Sequence, residues 1–401
     1  MNKKTKWIGS VIALATLCGG LSVYNTRPNR SVYAMQSINS AAMIADDLKI
    51  DAKAAYLMEY STQTPIYAKA ERERLPIASM CKIMTLLLSF EAIETGAMHM
   101  EEEICVSEKA ASMGGSQVFL EANAKYRVNE LIKSIVVCSA NDSCVALAER
   151  ICGSESIFVD KMNKRATELG MFNTLFANCT GLPKQPQYSC AQDVAIMLKE
   201  LLKHEEYHSF GKVWMDKFQH PQGRYTEISN TNRLVRYYDG CDGGKTGFTN
   251  EAGFCLAATA KRNDLRVISV LIGAESSDIR FAGIREMFDY SFANYENAVV
   301  YKAGEVLTEK GHVCNGKQKT LPLAPAENIT AFKKRGEKSD VLCKIALEPL
   351  KAPIQKGDVV GEMIVYVKNV ENRRVALVAL EDIEKASLWD KIREIAVFWN
   401  G

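Results

Sequence analysis

Histidine is scarce: the 401-residue chain has five, and none lies near its best nucleophile candidate, Ser79. A Ser-His-Asp arrangement therefore has no local support. No Cys-x-x-Cys spacing occurs among the 12 cysteines, so there is no zinc ribbon or finger pattern. Long runs of like charge are missing and the formal net charge is +2, which gives no reason to propose a nucleic-acid partner. The main sustained apolar run, residues 7–23, follows Lys3, Lys4 and Lys6 and reads as a signal peptide. Val32-Tyr33-Ala34 offers a small-residue cleavage site, with a retained N-terminal anchor as the alternative. Leu17 before Cys18 is bulkier than lipoprotein sites usually accept. Loss of Cys18 with the leader leaves an odd number of thiols, so pairing within one chain is incomplete. We expect mostly free, buried cysteines acting as small apolar residues.

What is present is a length and a hydrophobic content, 47%, sufficient for a large core and two main domains, and three ordered strings: Ser79-Met80-Cys81-Lys82, Ser139-Ala140-Asn141 and Lys245-Thr246-Gly247. A serine hydroxyl needs a neighbouring base. On a helix, the i, i+3 spacing puts Lys82 over Ser79. Ile83, Met84, Leu86, Leu87, Leu88 and Phe90 predict a centrally buried helix, with Pro76 ahead of it and Ser79 in its first turn. Burial and a second cation, Lys245, lower the pKa of Lys82; Ser139 and Asn141 are the candidate partners of its amine. Residues 54–59 and 66–68 read as one hairpin, and 253–260 and 265–274 as another. Residues 245–247 enter the second from a sheet edge, where Gly247 allows a substrate backbone to lie close. Ser139 and Asn141 fall at a loop or helix junction.

The ordered trio resembles that of the penicillin-binding proteins and class A β-lactamases. The chain from about residue 40 to its end resembles the D-alanyl-D-alanine carboxypeptidases. The likeness includes Gly115-Ser116 with Leu120, Asn141-Asp142, Gly181-Leu182-Pro183 and the run 242–256. In the tail it takes in residues 352–358, which resemble the family's C-terminal β-domain.

The resemblance implies an α/β (α+β) penicillin-binding, β-lactamase-like domain, with an antiparallel sheet flanked by helices, and a smaller C-terminal β-rich domain. The domain divisions expected are 1–34 leader, 35–292 catalytic domain, 293–385 β-rich stalk and 386–401 amphipathic helix. It further implies a serine-type carboxypeptidase that removes the terminal D-alanine of peptidoglycan stem peptides through an acyl-enzyme and is inhibited covalently by β-lactams. Ser79 attacks, Lys82 is the base, Ser139 relays a proton, and Asn141 holds substrate or Lys82. Lys245 and Thr246 bind the carboxylate with Arg280 as helper, and the Ser79 and Phe248 N–H groups form the oxyanion hole. Phe248 stands where the family often has a polar residue or histidine, and Asn123-Ala124 where a glycine turn is common. For Arg280 a surface arginine is an equal reading.

A D,D-endopeptidase, transpeptidase or β-lactamase shares the trio, and a non-enzymatic wall-binding relative would lose it. A remoter alternative is a zinc peptidase, since His204-Glu205-Glu206-Tyr207-His208 fits His-Glu-x-x-His. The charge around that segment reads instead as a solvated helix end, and we expect no metal and no cofactor. Leu388, Trp389, Ile392, Ile395, Ala396 and Trp399 form an apolar helical stripe suited to the outer face of the cytoplasmic membrane, the alternative being a helix packed on its own β-domain or on a dimer partner.

Overall fold

The computed structural model describes residues 48–337, 341–367, 370–390 and 392. The expected leader, and Ile395, Ala396 and Trp399 of the tail stripe, lie outside the described residues.

Strand β1 (Ala54–Glu59) turns back on β2 (Pro65–Lys69). A 3₁₀ turn (Ala78–Cys81) then leads straight into helix α1 (Lys82–Glu94), buried along most of its length. Short strand β3 (Glu103–Cys105) and helix α2 (Glu108–Ala111) precede β4 (Lys125–Arg127), which pairs with β3. Helices α3 (Val128–Cys138), α4 (Asn141–Cys152), α5 (Glu155–Glu168), α6 (Ala191–Leu201) and α7 (Glu205–Gly211) complete a helical layer. A hairpin follows, β5 (Met215–Gln219) with β6 (Tyr225–Ser229), and then helix α8 (Leu234–Tyr237). Strands β7 (Cys241–Thr249), β8 (Gly253–Arg262) and β9 (Leu265–Ala274) precede helix α9 (Ser277–Asn294).

The central sheet has the order β2-β1-β9-β8-β7 and is antiparallel throughout, so β7 is an edge strand. Both expected hairpins form. The sequence-distant pairing of β1 with β9 joins them, placing Ala54 opposite Ile272. Side chains alternate across the pleat. Tyr56, Met58, Ile268 and Val270 face the helical layer, while Leu57, Leu256 and Leu271 pack against Ile284, Met287 and Phe288 of α9. Both faces are covered, which explains why these strands read as continuous apolar runs rather than as polar-apolar alternation.

Beyond α9, strand β10 (Tyr295–Tyr301) pairs with β13 (Ile329–Lys334). Six further strands form a second sheet: β11 (Lys310–Cys314), β12 (Thr320–Pro325), β14 (Val341–Leu347), β15 (Leu350–Lys351), β16 (Val359–Val367) and β17 (Val370–Ala379), in the order β14-β16-β17-β12-β11-β15. Leu321, Leu323, Val365 and Leu377 belong to a separate core inside this part. Tyr295, which belongs to the core of the first part, stacks on Phe332 at 5.1 Å between ring centroids.

No disulfide is present among the described residues, and Cys81, Cys144, Cys179, Cys190, Cys241 and Cys255 are buried.

Candidate active site

Ser79 sits in the 3₁₀ turn and not in the first turn of the α-helix, as the sequence reading had it. The expectation failed because Ala78 takes a left-handed conformation, φ +46°, which bends the chain just before the serine. The i, i+3 consequence survives, because residues three apart eclipse in a 3₁₀ turn. The Lys82 amine, fully buried, donates to Ser79 Oγ at 3.0 Å and to the Thr180 carbonyl at 2.6 Å. Burial holds the Lys82 pKa below that of an ordinary lysine, which favours the neutral amine a base requires.

Ser139 and Asn141 were expected to hold that amine; the hydrogen bonds go elsewhere. Helix α3 ends at Ser139, whose backbone is left-handed at φ 67°, and α4 starts at Asn141. This is the helix junction read from sequence. Asn141 donates from Nδ2 to the Gly114 carbonyl at 2.7 Å, and its backbone N–H goes to the Ser116 carbonyl at 2.7 Å. Ser139 Oγ and Asn141 Oδ1 are buried without a protein partner, as is Arg280 Nε. Those three account for most of the five such atoms among the described residues. Buried polar atoms are ordinarily paired, so the two unpaired oxygens of the second string mark groups available to a ligand.

The third string lies on β7. Lys245 is buried on the helical side of the sheet, donating to the Thr246 carbonyl at 3.2 Å. Burial first, and then the charge of Lys82, bring its pKa down to about 7. Thr246 Oγ1 donates to Thr231 Oγ1 at 2.7 Å. A Cβ on Gly247 would stand 2.7 Å from the Ile77 carbonyl and 3.2 Å from the Ser79 nitrogen. The missing side chain therefore admits the turn that carries Ser79, rather than only a substrate backbone. Gly181, at φ +81°, closes on the same turn: its Cβ would lie 2.0 Å from the Ala78 carbonyl. Phe248 is half-exposed and packs on Phe254, 4.4 Å between centroids.

Arg280 is not a surface residue. It is 7% exposed, reaches the carbonyls of Gly247 and Cys255 at 3.5 and 3.4 Å, and stacks over Phe281 at 4.5 Å. Burial lowers its pKa to about 10. It braces β7 directly behind the third string.

The His204–His208 segment is corrected too. His204 is buried, bonded to Glu94 at 2.6 Å and stacked on Phe90, and Tyr207 is buried beside it. His208 turns to the Leu202 carbonyl at 3.1 Å. The two imidazoles have separate partners, and among the described residues no His, Cys, Asp or Glu group is arranged to hold a metal ion. Charge counting missed this because Glu205 and Glu206 are exposed while their neighbours are not.

Several residues escaped the sequence reading. Thr180 and Thr231 act through a backbone carbonyl and a lone hydroxyl, which no string announces. Asn123 has φ +66°, the left-handed backbone its residue type suggested.

Residues 39–276 match the family described as D-alanyl-D-alanine carboxypeptidase, and residues 295–385 match the penicillin-binding protein 5 C-terminal domain. D-alanyl-D-alanine carboxypeptidase DacF of Bacillus subtilis is 41% identical over 96% of this chain and 98% of its own length. DacC of Escherichia coli is 30% identical over 86% of this chain and 87% of its own. Among solved structures, the peptidoglycan synthesis regulatory factor PBP3 of Streptococcus pneumoniae superposes with a TM-score of 0.73 at 28% identity, covering 84% of this chain and all of that one. Penicillin-binding protein 5 of Haemophilus influenzae gives 0.65 at 28%, covering 85% of this chain and all of its own. With a serine and a buried amine in contact, an edge strand beside them and both sequence regions matched, this chain belongs to the D-alanyl-D-alanine carboxypeptidase family.

Proposed function

We propose that the chain is a serine-type carboxypeptidase that removes the terminal D-alanine from peptidoglycan stem peptides ending in D-Ala-D-Ala. The observation that carries the residue assignment is the 3.0 Å contact between Lys82 Nζ and Ser79 Oγ, made by an amine with depressed pKa. Neutral Lys82 takes the Ser79 proton as Oγ adds to the carbonyl between the two D-alanines. The Ser79 N–H, at the edge of the 3₁₀ turn, and that of Phe248, on the edge strand, receive the oxyanion. The carbon–nitrogen bond breaks, a proton passes through Ser139 to the leaving amine, and D-alanine departs. Water then adds to the ester and returns the proton to Ser79. Lys245 and Thr246 hold the terminal carboxylate, with Arg280 supplying positive charge from behind Gly247, and Asn141 Oδ1 accepts from the acyl side of the peptide. β-Lactams enter by the same addition and leave slowly because the acyl group stays attached to its own amine.

The proposed organisation is a leader (1–34), the catalytic domain (35–292), a β-rich stalk (293–385) and a membrane-associating helix (386–401), with the enzyme working outside the cytoplasm. Among the described residues no helix is long and apolar enough to cross a membrane. Attachment through the tail is supported by the exposure of Leu388, Trp389 and Ile392.

The test is a labelled penicillin together with a D-Ala-D-Ala peptide. Wild type acylates and releases D-alanine without added metal; Ser79→Ala does neither. Loss of activity to a zinc chelator, or full activity in Ser79→Ala, overturns the assignment.

A further inference from the structure

Next to Asn141, a strap of chain holds a residue to which none of these roles applies. Residues 114–121 form a strap fastened at one end to Asn141 through the carbonyls of Gly114 and Ser116. Farther along, the buried Asp142 carboxylate accepts the N–H groups of Val118 and Leu120, each at 3.1 Å. Arg224 donates to the Phe119 carbonyl at 3.1 Å and is itself held by Glu121 at 2.8 Å. The Tyr126 hydroxyl accepts the Glu121 N–H at 3.2 Å. Val118 and Leu120 bury their side chains, whereas Phe119 between them is 58% exposed.

Phe119 is unfavourable there on two counts. Its φ is +63°, a region that a bulky side chain rarely occupies. Its ring also stands in water, where it gains nothing from burial. The strap does not need phenylalanine to make the bend. Its other left-handed position is Gly115, with Asn123 just beyond it, and these are the residue types that tolerate this backbone best. Among the described non-glycine residues with positive φ, Phe119 is the only aromatic one. A strained position fixed by its own carbonyl and by two neighbouring N–H groups on Asp142, the residue after Asn141, and used to display a large exposed ring, points to a contact made by that ring.

We infer that Phe119 contacts substrate and sets specificity: its ring walls the Asn141 side of the cleft and packs on the stretch of peptide N-terminal to the scissile bond. This rests on the reading of Ser79 as the acylated residue. The direction follows from the site. Lys245 and Thr246 occupy the carboxylate end, Asn141 flanks the acyl side, and the strap runs onward from Asn141. Apolar faces of the extended peptide, its methyl and methylene groups, are the matching surface. A dipeptide with only a small acyl cap ends short of the ring, and a full pentapeptide reaches it.

Steady-state kinetics of wild type, Phe119→Ala, Phe119→Gly and Phe119→Tyr on N-acetyl-D-Ala-D-Ala and on a pentapeptide ending in D-Ala-D-Ala test this. The Ala and Gly variants should raise KM for the pentapeptide about tenfold, the loss typical of removing one aromatic contact, and leave the short substrate and penicillin labelling unchanged. Tyr should behave as wild type. Phe119→Gly should melt no lower than wild type, since glycine relieves the backbone while losing the ring. Equal losses on both substrates, or none on either, overturn the inference. Failure of the wild type to release D-alanine from either peptide instead overturns the reading of the site on which it rests.

Discussion

The Lys82 amine touches the Ser79 hydroxyl at 3.0 Å while wholly shielded from water. Such an amine is poorly suited to stability, because a buried polar group recovers its lost hydration only through the bonds it makes. Lys82→Met keeps the length and removes the amine. We expect acylation by penicillin to fall at least about 100-fold, the lower range for loss of a general base, with a melting temperature equal to or above wild type. A Lys82→Met variant that acylates at the wild-type rate would falsify the base assignment.

Lys245 and Lys82 share one buried site, and each charge disfavours the other. Both pKa values are lowered by burial, and we expect the productive state to carry a proton on Lys245 and none on Lys82. With its pKa near 7, Lys245 is charged below that pH and loses its charge above it. The KM for a D-Ala-D-Ala peptide should therefore rise as pH climbs through about 7, and Lys245→Arg should move that rise upward by more than one unit. The sign for stability is the opposite of a salt bridge. A cation whose folded pKa is depressed costs stability, fully below about 7 and less and less as pH rises toward 10.5, its ordinary value. Lys245→Met should thus stabilise most at pH 6 and progressively less toward pH 10. A KM flat from pH 6 to 9 would remove the charge of Lys245 from carboxylate binding.

Gly181 and Gly247 both press on the serine turn. The alanine Cβ meets backbone in both cases, which cannot rotate away as a flexible side chain could. Overpacking of this kind costs on the order of 1–3 kcal/mol. Gly181→Ala, with the closer contact and a left-handed φ, should be the worse of the two. Penicillin acylation should fall more than tenfold in each, while a glycine far from the turn and in open space, Gly336→Ala, should leave acylation unaffected. Normal acylation rates in Gly181→Ala would show that the turn tolerates a shift of its backbone.

These contacts also explain what could be read from the sequence and what could not. The contact of Ser79 with Lys82 was legible because it is made by side chains three residues apart, and that spacing survives the change from α-helix to 3₁₀ turn. The edge position of β7 followed from its place at the start of two apolar runs. By contrast, Thr180 serves Lys82 through a carbonyl 98 residues away, and any residue type there presents the same group. Arg280 reads equally as a surface arginine and as a helper at the carboxylate, because its burial depends on β7, β8 and the rings of Phe254 and Phe281 closing over it. The burial of His204 depends in the same way on Phe90, more than 100 residues earlier. Local chemistry is visible in strings, whereas backbone acceptors and tertiary burial are not.

The tail permits a last prediction. Ser387 and Asp390 cap the start of a helix, the serine N–H donating to the carboxylate at 2.8 Å and the Asp390 N–H to the serine hydroxyl at 3.2 Å. Leu388 and Trp389 follow directly, 73% and 78% exposed, with Ile392 at 46%. Leu388 and Trp389 thus leave most of their surface open to a membrane. Burial of each large apolar side chain is worth roughly 1.5–3 kcal/mol, so a few together suffice for peripheral attachment. Removal of residues 387–401 from protein lacking its leader should abolish co-sedimentation with phospholipid vesicles, and Leu388→Ser with Trp389→Ser should weaken it at least tenfold, with penicillin labelling intact in both. A dimer that dissociates on the same truncation, with no vesicle binding by the wild type, would assign the stripe to a second copy of the chain instead of to the membrane.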